Sequence, residues 1–221
     1  MTIGMAVKRL RRRRWTVLTA ACCTGVACAG VLVDPADAAL LRGDDRANVL
    51  VGGAGHDTLV GRGGNDTLDG RGDHDAFRPG AGDDVSFGRG TGDRFFGSAG
   101  NDVAVGGRGN DMVGYSGDKP VRGDANRGRD IALGGRGNDF LEGGRGNDVL
   151  RGGPGADSFV FDAGRDTLFG GTGRDTVYVI GDDGLRDVIR CGAGRDRVFY
   201  YSITPKEAHD RITGCETVRA Q

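Results

Sequence analysis

Gly134-Gly135-Arg136-Gly137-Asn138-Asp139-Phe140-Leu141-Glu142 is followed without a gap by Gly143-Gly144-Arg145-Gly146-Asn147-Asp148-Val149-Leu150-Arg151. The common form is G-G-x-G-x-D-x-U-x, with U an apolar residue. It recurs at Gly52–Val60, Gly61–Asp69, Gly106–Gly114, Gly152–Val160 and Gly170–Tyr178. A tandem period of nine has to be read before any local helix or strand, because a missed repeat misassigns the whole chain.

Kept in phase, the sixth position is Asp57, Asp66, Asp75, Asp84, Asp93, Asp102 and Asp111, then Asp130, Asp139, Asp148, Asp157, Asp166 and Asp175. Asp187 and Asp196 continue it after a three-residue insertion near Val179 to Gly181. The eighth position carries Leu59, Leu68, Phe77, Phe95, Val113, Leu141, Leu150, Phe159, Leu168, Val177, Ile189 and Val198, with Ser86, Ala104 and Ala132 as weak members. In an extended x-U-x stretch the middle side chain points to one face and its neighbours to the other. Each repeat therefore reads as a short strand with one inward residue, joined by a six-residue turn. Glycines at positions one, two and four allow positive φ and close backbone approach. Glycine at this density opposes helix, so the fold class is all-β.

These repeats resemble the RTX, or haemolysin-type, calcium-binding nonapeptide proteins, over roughly Leu50 to Phe199. The resemblance implies a right-handed parallel β-roll, a β-solenoid with two repeats per coil and calcium between stacked turns. Tyr115 to Asp124 breaks the pattern, and Lys119-Pro120 within it marks an excursion loop. Glycine is replaced by Asp73, Thr91 and Leu185 at position four, and by Pro79, Phe161 and Cys191 at position one.

Calcium takes six to eight oxygen ligands from carboxylates and carbonyls. A glycine-rich turn exposes carbonyls, and its sixth residue adds a carboxylate. With two repeats per coil, Asp57 stacks near Asp75, Asp66 near Asp84, Asp139 near Asp157 and Asp148 near Asp166. Each pair is repulsive alone and becomes a clamp around a cation. The expected metal ligands are Asp57, Asp66, Asp75, Asp84, Asp93, Asp102, Asp111, Asp130, Asp139, Asp148, Asp157, Asp166, Asp175 and Asp196, with Ca2+ as the bound ion and calcium-dependent folding as its consequence. The alternative is a metal-independent structural or adhesive solenoid, its aspartates neutralised by the position-five arginines Arg129, Arg165, Arg174, Arg186 and Arg195.

Catalytic signatures are missing. The histidines are His56, His74 and His209; none lies in an H-E-x-x-H motif, and there is no G-x-S-x-G elbow. The reading is therefore not an enzyme. The net charge is −1 and the arginines alternate with aspartates, so no basic stripe points to nucleic acid. An extracellular or cell-surface partner, or self-association through an open end of the solenoid, is expected.

Lys8, Arg9 and Arg11 to Arg14 precede an apolar run from Trp15 to Val33, and Ala36-Asp37-Ala38 offers a cleavage site. Residues 1–38 read as a signal peptide and the protein as secreted; an uncleaved anchor at 15–33 is the alternative. Residues 39–199 read as the roll, with an irregular insertion at 115–124, and residues 200–221 as a C-terminal cap. Two cysteines remain beyond the signal, Cys191 and Cys215, an even count that suggests a disulfide in an exported chain.

Overall fold

A repeat with one apolar residue cannot form a core by itself; it has to stack on the next. In the computed structural model, which describes residues 31–33, 38–115, 128–180, 184–201 and 210–220, the repeats do so. Among the described residues all regular structure is β. Twenty short strands form two ten-stranded sheets, and successive strands alternate between them. One sheet runs from Val31–Val33 to Arg211–Thr213, the other from Leu40–Arg42 to Thr217–Ala220. Every strand pairing is parallel, and partners in the regular run are eighteen residues apart, as with Leu59↔Phe77 and Leu141↔Phe159. Two repeats therefore make one coil of a parallel β-roll.

The position-eight residues form a single file between the sheets. Leu50, Leu59, Leu68, Phe77, Leu141, Leu150, Phe159, Leu168, Val177, Ile189 and Val198 have no exposed surface. The weak members have a packing reason. Leu68, Ser86, Ala104, Ala132 and Leu150 are successive register partners on one sheet. From the other sheet come Phe77 and Phe95, stacked with ring centroids 4.5 Å apart. Small residues on one wall make room for large ones on the other. The fit leaves a cavity of about 40 Å³ bordered by Ser86, Phe95, Ala104, Val113 and Ala132.

The interruptions leave the register intact. Met112 pairs with Phe140 across the first, and Thr167 with Val188 across the second. Most of the irregular insertion lies outside the described residues. So does most of the segment read as a signal, although Val31–Val33 pair with Val49–Val51. The coil strands Leu40–Arg42 and Val49–Val51 begin before the Leu50–Phe199 stretch that carries the resemblance, within the 39–199 span read as the roll. One expectation is refined: several strands extend beyond x-U-x into the turn, as in Thr58–Gly63 and Val149–Pro154. At the far end the last coil docks as Arg211–Thr213 and Thr217–Ala220. Cys191 and Cys215 form a disulfide with Cα atoms 5.3 Å apart, which ties that coil to the one before it.

Candidate metal centre: the aspartate ladder

Each turn ends on its sixth residue, where the chain enters a strand and the side chain folds back under the turn. The position-six aspartates from Asp57 to Asp196 are nearly all buried, Asp93, Asp175 and Asp196 completely. Their Oδ1 atoms have one repeated partner. The main-chain N–H of each position-six residue donates to Oδ1 of its counterpart one coil later. Asp57 N–H meets Asp75 at 2.8 Å, Asp66 meets Asp84 at 2.7 Å, Asp139 meets Asp157 at 2.9 Å and Asp148 meets Asp166 at 2.8 Å. The series crosses both interruptions, from Asp102 to Asp130 and from Asp175 to Asp196. The structure thus brings all fourteen aspartates expected as ligands into two continuous ladders, one on each edge of the roll.

The second carboxylate oxygen is different. Oδ2 of Asp66, Asp75, Asp84, Asp93, Asp111, Asp130, Asp139, Asp148, Asp157, Asp175 and Asp196 is buried without a hydrogen-bond partner among the described residues. Asp57 and Asp102 depart from this: Gly53 N–H donates to Asp57 Oδ2 at 2.6 Å, and Ser98 Oγ donates to Asp102 Oδ2 at 2.5 Å. A buried carboxylate oxygen with no donor is costly, and its repetition at eleven aspartates makes it a property of the repeat.

The first glycine of the motif explains where that oxygen sits. A β-carbon on Gly152 would lie 2.2 Å from Asp157 Oδ2 and 2.7 Å from the carbonyl oxygen of Gly170 in the next coil. On Gly61 it would lie 2.2 Å from Asp66 Oδ2 and 2.3 Å from the Pro79 carbonyl oxygen. Position one is glycine because a carboxylate oxygen and a carbonyl oxygen converge there, rather than because of a positive φ. Most of the left-handed residues are at positions two and four, including the non-glycines Arg62, Arg71, Asp73 and Arg89, with φ of 91°, 76°, 61° and 73°; Gly114 and Gly184 fall elsewhere in the repeat.

Burial raises the carboxyl pKa values strongly, and like charges on neighbouring rungs add to it. Asp75, Asp84, Asp111, Asp148 and Asp157 are pushed up to about 7, and Asp93 to about 8. Asp130 and Asp175 rise to about 6. The amide N–H on each Oδ1 offsets only part of this.

A family model for the RTX calcium-binding nonapeptide repeat matches the chain in four copies, at residues 42–77, 78–113, 124–159 and 162–179, more than half of its length. The chain belongs to the RTX calcium-binding nonapeptide repeat family. No curated protein and no solved structure matches it. The RTX copies follow the coils: residues 42–77 hold two of them, and the third copy starts at the end of the irregular insertion. The RTX repeats are known for calcium binding, and the donors here suit it. Each cradle offers oxygen only, from a carboxylate and main-chain carbonyls, as a hard cation requires. Among the described residues no three His, Cys, Asp or Glu side chains converge, so carbonyls would have to complete any shell.

The repeat phase missed three members of the RTX ladder. Asn48 N–H donates to Asp66 Oδ1 at 2.7 Å, and Asn48 Oδ1 accepts from Asp44 N–H. Asp187 N–H donates to Asp210 Oδ1 at 3.0 Å, and Asp196 N–H to Glu216 Oε2 at 2.5 Å. Asn48-Val49-Leu50, nine residues before Asp57-Thr58-Leu59, carried a signal in its polar-x-apolar pattern. Asp210 and Glu216 stand off the nine-residue beat and carried none. Asp210 also accepts a hydrogen bond at 2.9 Å from the buried Tyr200 hydroxyl, whose pKa burial raises steeply.

Proposed function

We propose that this chain binds calcium ions between successive turns of its β-roll, and that binding drives the roll to fold. The observation that carries this is the row of buried Oδ2 atoms without donors; at Asp66, Asp93, Asp111, Asp157 and Asp175 the position-one glycine also faces a carbonyl oxygen of the next coil. Asp57, Asp66, Asp75, Asp84, Asp93, Asp102, Asp111, Asp130, Asp139, Asp148, Asp157, Asp166, Asp175 and Asp196 are the proposed carboxylate ligands. A bound calcium supplies positive charge to the carboxylates whose Oδ2 has no donor among the described residues. The aspartates then stay ionised and the carbonyls at position one stay turned towards them. Folding couples to binding because the cradle spans two coils and is absent from an unfolded chain.

The metal-free alternative needs arginines on the ladder. Among the described residues, Arg129, Arg165, Arg174 and Arg195 are exposed and make no ion pair with it. The Cys191–Cys215 disulfide fits an oxidising compartment. With the basic-apolar N-terminus it supports a secreted protein, or one held at the cell surface by residues 15–33. A structural or adhesive role outside the cell follows from this placement.

The test is far-UV circular dichroism of the oxidised protein, titrated with calcium from excess chelator. A cooperative gain of β signal that magnesium does not reproduce is the expected result. A folded spectrum indifferent to both ions would reject the proposal.

A further inference from the structure

In the sequence, arginines alternate with aspartates; the fold separates them. From residue 39 on, Lys and Arg number 24 and Asp and Glu 29. Fourteen of those aspartates are buried, which leaves 15 carboxylates against 24 cations over the rest of that stretch. Part of the excess is gathered in one place. Arg89, Arg108, Arg136 and Arg151 come from four successive coils of one sheet and the turns that follow it, and all four are exposed. They line an open groove of about 540 Å³ whose floor is main chain at Gly107, Gly135 and Gly153. Among the described residues no carboxylate borders it.

The outer two guanidinium groups are held in place. Arg89 makes a two-pronged ion pair with Asp69, at 2.7 and 2.9 Å, and Arg151 lies over the Phe169 ring, 4.5 Å from its centroid. The inner two, Arg108 and Arg136, are register partners on adjacent strands and make no ion pair among the described residues. Like charges directly opposite each other on neighbouring strands are destabilising. An anion shared between them reverses the sign.

We propose that this row binds a linear acidic polysaccharide, whose carboxylate or sulfate groups lie across the four guanidinium groups. Strand spacing sets one cation about every 4.8 Å along the axis, which suits a polymer with anionic groups at regular intervals. The guanidinium fork offers paired N–H donors to such oxyanions. Nucleic-acid bases would find no ring to stack on: the apolar lining is Leu133 and Pro154, and Phe169 lies between Arg151 and Arg190. The ladder takes a cation beneath the turns, and the arginine row takes a polyanion outside them. The row exists only in the folded roll and in that respect rests on the calcium-driven folding proposed above.

The experiment is isothermal titration calorimetry of the oxidised full chain in saturating calcium, with dextran sulfate, carboxymethyl dextran, plain dextran and duplex DNA as probes. Both charged dextrans should bind, less tightly as salt is added, and plain dextran should not. Arg108→Gln with Arg136→Gln should weaken binding about tenfold. Arg145→Gln with Arg165→Gln removes the same charge from exposed turns on the opposite edge and should leave binding unchanged. Far-UV circular dichroism of each variant in calcium should match the parent. A roll that folds without calcium would fail the folding proposal and still bind the charged dextrans in chelator. No binding of either charged dextran, equal loss in the two double variants, or tighter binding of DNA would each overturn the arginine row as a polysaccharide site. So would binding untouched by Arg108→Gln with Arg136→Gln, which would make calcium the bridge.

Discussion

The main-chain N–H of Asp139 donates to Oδ1 of Asp157 at 2.9 Å, while Asp157 Oδ2, on the same carboxylate, is buried with no donor. One oxygen belongs to the fold and the other to a guest. Asp157→Asn keeps the acceptor and removes the charge, as Asn48 already does near the N-terminal end of the ladder. The variant should be more stable than the parent in chelator, by about 1 kcal/mol, and should need roughly tenfold more calcium to fold. Paired calcium titrations by circular dichroism check both signs. A variant weakened equally with and without calcium would show the side chain to be structural only.

The raised carboxyl groups set the pH dependence of the metal-free roll. An unfolded aspartate titrates near 3.9, whereas in the folded ladder Asp75, Asp84, Asp93, Asp111, Asp130, Asp148, Asp157 and Asp175 are pushed up to between about 6 and about 8. Between those values the folded chain holds more protons, so stability falls as pH rises. The contribution is fully present below about pH 4 and is lost as pH climbs through 6 to 8. Thermal melts of metal-stripped protein should show Tm decreasing across that range. Saturating calcium should abolish or reverse the trend. A rising Tm without metal would contradict it.

Gly152→Ala tests the convergence of oxygens at position one. Its β-carbon would meet Asp157 Oδ2 and the Gly170 carbonyl, a cost of about 1–3 kcal/mol with a matching rise in the calcium midpoint. Arg71→Gly, at a left-handed position two, should be neutral or stabilising by up to about 1 kcal/mol. Denaturant unfolding in calcium ranks the pair, and the reverse order would place the glycine requirement on φ.

Ser86→Val should raise stability. The Ser86 hydroxyl is buried without a partner among the described residues, beside the small core cavity. Replacing it with valine's two methyl groups removes an unmet donor and fills space, for about 1 kcal/mol. An unchanged or lower Tm in saturating calcium would mean that the phenylalanine stack leaves no room.

Cys191 and Cys215 are 24 residues apart, so reduction should cost roughly 3 kcal/mol. The loss should be local. Amide hydrogen exchange in calcium should quicken in Arg211–Thr213 and Thr217–Ala220 and stay unchanged around Leu59 and Leu141. Uniform loss of protection would mean that the bridge holds the whole roll.

The coils and core were legible because each rests on one residue type at a fixed phase. Leu59 predicts Phe77, and Asp57 predicts Asp75. The purpose of the weak positions was not legible, since Ser86 and Ala104 make sense only opposite Phe77 and Phe95, which stacking brings across from the other sheet. The ladder was readable as carboxylates but not as split carboxylates: that Oδ1 binds an amide and Oδ2 does not is a matter of tenths of an ångström. Its C-terminal end was hidden because a rung needs only an acceptor oxygen. Asp210 and Glu216 supply one without keeping the beat, and the bulkier Glu216 was invisible to a search for aspartate. The RTX resemblance gave calcium; the donorless oxygens give a physical reason for it.

Both interruptions rejoin the same register, so the roll keeps count of coils and ignores residues added between them. Its length is accordingly quantised. Every eighteen residues in phase advance the solenoid by one strand spacing, about 4.8 Å, while the residues added between Tyr115 and Gly128 leave Met112 paired with Phe140 and Val103 with Ile131 and add no rung to the stack. A protein built this way can acquire a new loop for a new surface without changing the distance it spans.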